Sequence, residues 1–327
     1  MLYVHGVGHF HPENVIDNAF LESLDIGTND EWIVSRVGIK TRRTVLELDY
    51  IKRTKNQDLR QTAEATVYKN GECGRRAAAM AIERAGIQAN DIGLVIGGSS
   101  SPEFCIPTEA AATAKLLGIE APCVDIASAC TTFGAHLHFA ASMGASLPDY
   151  VLSVVPENTT RVTNFADRSS AILFGDATAA TVLSTKHPAR MRAIETTFGG
   201  APSGAFEVVI PRLGHFYQNG SAVQKFAIKT MTELTKQIQA RLSSEGRPRM
   251  IYIGHQANLT MLESVVRRCE VPADCHYFNI DAFGNQAAAG APAVISQNWD
   301  RFKKGDVVGC VVVGSGLSWS SVQLEWS

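Results

Sequence analysis

Short Val- and Ile-rich runs separated by helix-like stretches recur along this chain, and that alternation restricts it to layered α/β architectures with buried sheets. Residues 92–97 (IGLVIG), 150–155 (YVLSVV), 177–183, 250–253 and 307–313 (VVGCVVV) read as strands. Segments 75–85, 127–143, 222–242, 259–269 and 287–299 read as helices, the first of them ending at Gly86, a natural C-cap. Residues 122–126 and 276–280 read as further strands, and 320–325 as a short edge strand.

The order of these elements repeats. A helix, IGLVIGGSSS, a helix, CVDIASACTTFGAHLHFA and YVLSVV in the first half are echoed by a helix, MIYIGHQAN, a helix, YFNIDAFGNQAAAGAPAV and VVGCVVV in the second. Laying Asp125-Ile126 on Asn279-Ile280 sets Cys130 beside Gly284 and Asn285, each just ahead of a small-residue helix. The echo divides the chain into halves 1–184 and 185–327. A duplicated unit places corresponding loops on one side of a pseudo-twofold, where chemistry from both halves can converge. Segment 44–71 is the most polar stretch and is expected as a surface excursion. Segment 201–220 is expected as an irregular surface loop, and both suit substrate selection.

Composition narrows the function. The chain has 327 residues, 45% hydrophobic and 19% charged, enough for a large core without disulfides or metal. A net charge of -2 implies no basic face, so nucleic acid is not an expected partner. Apolar runs such as 140–147 and 307–314 stop well short of the ~20 residues a membrane span needs, and the N-terminus lacks a secretory pattern. The seven cysteines include no CxxC pair, which reads as reduced thiols of a cytoplasmic protein with no zinc site. Glycine pairs at 97–98 and 199–200 lack the spacing of a dinucleotide loop, so no flavin or nicotinamide cofactor is expected.

Three residues stand out chemically. Cys130 follows a strand and a small-residue turn and is expected to open a helix, whose dipole and free N–H groups would lower the thiol pKa and stabilise an oxyanion. Position alone gives it only a modest edge over Cys123 and Cys105, since most cysteines are inert core residues. His255 sits at the carboxyl end of a strand, where side chains project into the crevice of an α/β sheet, although a histidine there can equally satisfy a local backbone group. Asn285, after Gly284, begins the next helix and would also serve as a plain N-cap. His136 and His138 fall inside an apolar helix; His5, His9 and His11 receive no role.

In chain order, Cys…His…Asn with these flanking sequences resembles the β-ketoacyl-acyl-carrier-protein synthase III family and its polyketide relatives. The resemblance runs nearly end to end, through NDEWIVSRVGIKTRR (29–43), SACTTFGAH around Cys130, ADRSSAILFGDATAA (166–180), GHQAN at His255, FGN at Asn285 and GSGLSW (314–319). It implies a thiolase fold, five layers α-β-α-β-α from two pseudo-repeated halves, and a homodimer. Cys130 would accept the acyl group. The oxyanion hole would use the amides of Cys130 and of a glycine-loop residue, Gly316. His255 and Asn285 would donate to the second thioester carbonyl, and two neutral donors suit a developing enolate. Trp32, Arg36 and Arg161 would contact the coenzyme A or pantetheine arm, and Ile106 would reach the partner's acyl tunnel. Acyl carrier protein is the implied partner, with thioesters as substrates and no resident cofactor.

Departures from the family pattern bear on the substrate. Val313 stands where the family has a phenylalanine that helps expel carboxylate from malonyl, Gln286-Ala287 replaces Thr-Ser, and Thr260 replaces an arginine. Together with the long 44–71 segment they point to a secondary-metabolite ketosynthase that joins two acyl thioesters, including two β-ketoacyl chains. The alternatives are fatty-acid initiation with a malonyl carrier protein, acyl transfer to a hydroxyl or amine, and a non-catalytic partner subunit, the last disfavoured because all three site residues are retained.

Overall fold

The computed structural model describes residues 1–247 and 249–327. Its central sheet contains β1 (Leu2–Phe10), β2 (Ile92–Gly97), β3 (Cys123–Asp125), β4 (Tyr150–Glu157), β5 (Ala177–Ser184), β6 (Met191–Gly200), β7 (Ile251–Gly254), β8 (Val307–Gly314) and β9 (Ser318–Trp326). In space the order is β7-β8-β9-β6-β1-β5-β4-β2-β3. Read outward from the β1–β6 seam, both arms repeat one pattern: two antiparallel pairings, then a parallel one. The first arm ends with β2 parallel to β3, and the second with a single parallel bridge from Tyr252 to His276.

That bridge is all that forms of the strand expected over 276–280. A 3-10 turn at Ala273–Cys275 precedes it and a short helix, Ile280–Phe283, follows at once, which leaves no length to extend. Segment 320–325 is also no edge, because β9 pairs along its whole length with β8 on one side and β6 on the other.

Seven helices matter to the site: α1 (Asp30–Val37), α2 (Asn70–Ala85), α3 (Glu109–Leu117), α4 (Thr132–Met143), α5 (Gly220–Ser244), α6 (Leu259–Arg268) and α7 (Gly290–Gln297). Phe133, Leu137 and Ala140 of α4 and Ala291, Val294 and Ile295 of α7 share one core with Val4, Ile96 and Val151 of the first arm and Ile253, Val308 and Val322 of the second. These two helices therefore form the middle layer, and the first half of α4, Thr132 to Leu137, is buried throughout. Strand alternation sends neighbouring residues outward. Val95, Val154 and Val182 pack under Ala77 and Ala81 of α2 and Ala110 and Ala114 of α3. Tyr252, Val307 and Val311 meet Met231 and Ile238 of α5 and Leu262 and Val265 of α6. Five layers result, the thiolase architecture. In the first outer layer α2 lies directly on β1 because Gly6 and Gly8 carry no side chain; a Cβ at Gly8 would sit 2.0 Å from the Ala77 carbonyl oxygen.

Segment 44–71 is not a loose excursion. Val45, Leu46 and Ile51 are fully buried, and Asn56 fastens the segment inward, its Nδ2 donating to the carbonyls of Arg161 and Thr163 at 3.0 Å. Segment 201–220 runs over the surface with Phe206 and Leu213 exposed, but it carries a two-rung hairpin, Val208–Val209 with Tyr217–Gln218, and also walls the cavity through Val208, Ile210, Phe216 and Gln218.

Candidate active site

A cavity of about 660 Å³ opens between the two arms, and Cys130, His255 and Asn285 all line it. Cys130 arrives on the turn between β3 and α4. Ala129 is held at φ +45°, a left-handed conformation that non-glycine residues seldom adopt, so the chain reverses sharply just ahead of the sulfur. Thr131 fastens this turn, its hydroxyl donating to the Ser128 carbonyl at 2.7 Å and lying 2.8 Å from Ser318 Oγ. Ser318 Oγ in turn donates to the Ser315 carbonyl at 3.0 Å, which ties the Cys130 turn to the loop after β8.

The helix does not begin at the sulfur, as the sequence suggested, but at Thr132. The Thr131 and Thr132 N–H groups are used inside the turn, on the Ser128 and Ala129 carbonyls. With that stabilisation diverted, burial dominates and pushes the Cys130 thiol up to about 12, with Glu157 adding repulsion. Glu157 is itself fully buried, accepts from the Ser100 N–H at 3.0 Å and is pushed up to about 8 by burial. At rest Cys130 is therefore held as a thiol.

Gly314 approaches the turn so closely that a Cβ there would lie 3.1 Å from the Cys130 nitrogen. Ser315 also lines the cavity, whereas Gly316 does not. Among the described residues neither the Cys130 nor the Ser315 N–H donates to a backbone carbonyl outside the strands, and Ser315 rather than Gly316 lines the cavity, so the Cys130 and Ser315 amides are the pair placed to face an oxyanion.

His255 follows β7 directly. It is 6% exposed, its ring has no hydrogen-bond partner among the described residues, and burial lowers its pKa to about 4. At neutral pH it is an uncharged imidazole. Asn285 is fixed at three points. Its N–H donates to the Leu173 carbonyl at 2.8 Å, its carbonyl accepts from Gly175 at 3.1 Å, and its Oδ1 accepts from the Ala287 N–H at 3.0 Å. The last bond commits the carboxamide oxygen and leaves Nδ2 available as a donor.

The mouth is built on α1. Asn29 caps it by accepting from the Trp32 N–H, and Gly38 closes it at φ +70°. Trp32 and Arg36 line the cavity, with the Arg36 guanidinium 5.7 Å from the indole centroid. The Asn258 and Thr260 side chains both donate to the Arg36 carbonyl, joining α1 to the His255 loop. Val313 lines the floor as expected.

One expected residue lies elsewhere. Arg161 pairs with Glu103 at 3.4 Å and does not line the cavity, whereas Arg168, also outside the lining, stacks on Trp32 at 4.7 Å from its centroid. Arg168 lies inside the ADRSSAILFGDATAA block, but the sequence reading did not single it out. Ile106 is 86% exposed and does not reach this chain's own cavity.

A cysteine, a neutral imidazole and a carboxamide converging in one largely apolar cavity of a five-layer fold define an acyltransferase of the condensing class. Comparison with known proteins agrees. Residues 124–202 match the family described as 3-oxoacyl-[acyl-carrier-protein (ACP)] synthase III, and residues 250–326 match its C-terminal part. The chain is 32% identical over 329 residues to the β-ketoacyl-[acyl-carrier-protein] synthase III of Staphylococcus saprophyticus, covering 99% of this chain and 98% of that protein. The crystal structure of the Thermus thermophilus synthase III superposes with a TM-score of 0.84 at 28% identity over 99% of both chains. That of the Aquifex aeolicus enzyme gives 0.86 at 24% over the full length of both. The chain belongs to the β-ketoacyl-[acyl-carrier-protein] synthase III family.

Proposed function

We propose that Cys130 takes an acyl group from a coenzyme A or carrier-protein thioester, and that His255 and Asn285 hold the second thioester while its α-carbon attacks the acyl-cysteine. In the first step the Cys130 sulfur bonds to the acyl carbon, the donor's C–S bond breaks, and the donor leaves as a thiol with the proton. In the second step a C–C bond forms and the acyl–Cys130 bond breaks. With a β-ketoacyl substrate, the proton lost from the α-carbon balances the one regained by the sulfur. Neutral Nε2–H and Nδ2–H groups strengthen their hydrogen bonds as charge develops on the thioester oxygen.

The observation that carries this reading is the shared cavity of the three side chains, with Arg36 and Arg168 stacked about Trp32 at its mouth. Two cations and an aromatic face suit the phosphates and adenine of coenzyme A or the arm of an acyl carrier protein. The second substrate is a β-ketoacyl thioester in preference to malonyl. Its α-carbon is acidic enough to ionise without losing carbon dioxide, and Val313 supplies no aromatic wedge against a malonyl carboxylate. The enzyme works as a cytoplasmic homodimer, with Ile106 entering the partner's tunnel; exposed Phe104 and Ile106 support such burial.

Intact-protein mass spectrometry with an acyl thioester tests the first step. An adduct that disappears in Cys130→Ala is expected, and its absence from the native enzyme refutes the reading. Carbon dioxide release from a malonyl donor tests the second, with little expected.

A further inference from the structure

Four side chains run behind the two donors. His11 Nε2 lies 2.8 Å from Gln286 Oε1. Gln286 Nε2 donates to Asn279 Oδ1 at 2.8 Å and to the Gly284 carbonyl at 3.3 Å. The Asn279 N–H donates to Gln256 Oε1 at 3.0 Å, and Gln256 Nε2 donates to the Gly254 carbonyl at 2.8 Å. Gln256 follows His255 in the chain, and Gln286 follows Asn285. Gln256 and Gln286 are fully buried and Asn279 nearly so.

We propose that His11, Gln286, Asn279 and Gln256 form a brace that holds the His255 and Asn285 loops in register, with His11 and Gln286 acting as positioning residues for condensation. The proposal rests on the functional reading above, which makes His255 and Asn285 the donor pair.

The direction of the brace follows from donor and acceptor chemistry. Because Gln286 Nε2 is committed to two carbonyl-type oxygens, Gln286 Oε1 faces His11 and can only accept. His11 must then carry its proton on Nε2. It also stacks on Phe283 with centroids 4.0 Å apart, so it grips the turn both before and after Asn285. The turn needs that grip. Ala287 is held at φ +47°, and its N–H is the group that fixes the Asn285 carboxamide. A left-handed alanine is strained and persists only where its surroundings impose it. Releasing Gln286 lets Ala287 relax, and the Asn285 amide turns with it. Cys130 lies on the other arm of the sheet, outside this chain of bonds, so its acylation is not touched.

The test separates the two half-reactions. In His11→Leu, single-turnover acylation of Cys130 stays within about twofold, while condensation falls by about tenfold to a hundredfold, the scale of a misplaced catalytic group. His11→Gln, which keeps a donor, recovers most of the loss. The double variant with Gln286→Leu is no worse than Gln286→Leu alone. Equal loss in both half-reactions, or no loss in either, overturns the proposal. Hydrogen exchange decides it independently of turnover. Faster exchange over 283–287 in His11→Leu, with 127–132 unchanged, supports the brace, and unchanged exchange over 283–287 overturns it even if the wild-type enzyme forms no condensation product. Failure of the wild type to condense would count against the functional reading alone.

Discussion

The turns that deliver Cys130 and Asn285 occupy equivalent places in the two arms of the sheet, yet they are built differently. Each forces one alanine into a left-handed conformation and then enters a middle-layer helix: Ala129 ahead of α4, Ala287 ahead of α7. In the first arm the strained residue precedes the functional one and thrusts a sulfur forward. In the second it follows, and its N–H turns a carboxamide. Their polar surroundings differ as well. Buried carboxyls, Glu157, Asp176 and Glu109, stand in the first arm, whereas neutral amides brace the second. On the proposed function, one backbone device serves two kinds of chemistry, covalent bond-making on one side and hydrogen-bond donation on the other.

The largest test of that division is Cys130→Ala. Turnover falls by roughly a thousandfold or more and the acyl adduct vanishes, so a surviving adduct would place the nucleophile elsewhere. Next comes Asn285→Ala. Condensation drops about a hundredfold to a thousandfold, the usual cost of one lost oxyanion donor, while the acylation rate is unchanged. Stopped-flow thiol release with single-turnover product analysis separates the two, and a parallel loss breaks the division of labour.

Acidity gives a third test. A thiol pushed up to about 12 is almost wholly protonated at neutral pH, so the acylation rate climbs by about tenfold per pH unit from 6 to 9. A plateau below pH 8 would show that substrate binding supplies the missing stabilisation. His255, lowered to about 4, stays neutral across that range and adds no inflection.

The buried carboxyls set the pH dependence of stability. Burial raises Glu109 to about 7, Glu157 to about 8 and Asp176 to about 6. Each binds its proton more tightly folded than unfolded, so its contribution is full below the ordinary carboxylate range and is lost as pH rises through the folded value. Calorimetry should find Tm falling between pH 5 and pH 8, and Glu157→Gln should flatten part of the decline. The smallest effect belongs to Arg168→Ala. Losing an exposed cation–π contact raises KM for a coenzyme A thioester by about two- to fivefold, with kcat unchanged.

Much of this was legible in the sequence where the signal is local. Continuous Val and Ile runs marked β2, β4 and β8, and the three site residues sat in short motifs at strand and helix ends. β6 escaped notice because MRAIETTFGG alternates polar residues along a mostly half-buried strand. Arg161 and Arg168 flank one turn, and only the fold shows which of them turns toward Trp32. His11 carried no signal at all, since its partner Gln286 is 275 residues away. The helix over 127–143 was read five residues too long because small residues suit both a helix and the strained turn that displaces it.

Only three residue pairs, Leu2 with Ala193, Tyr3 with Arg192 and Val4 with Met191, stitch β1 to β6. That narrow suture lies between the sulfur's half of the sheet and the donors' half, and none of its six residues touches the cavity. Substitutions along it can shift the gap across which the new carbon–carbon bond must form while leaving every substrate contact in place, a route to altered chain selection that a search confined to the pocket wall would overlook.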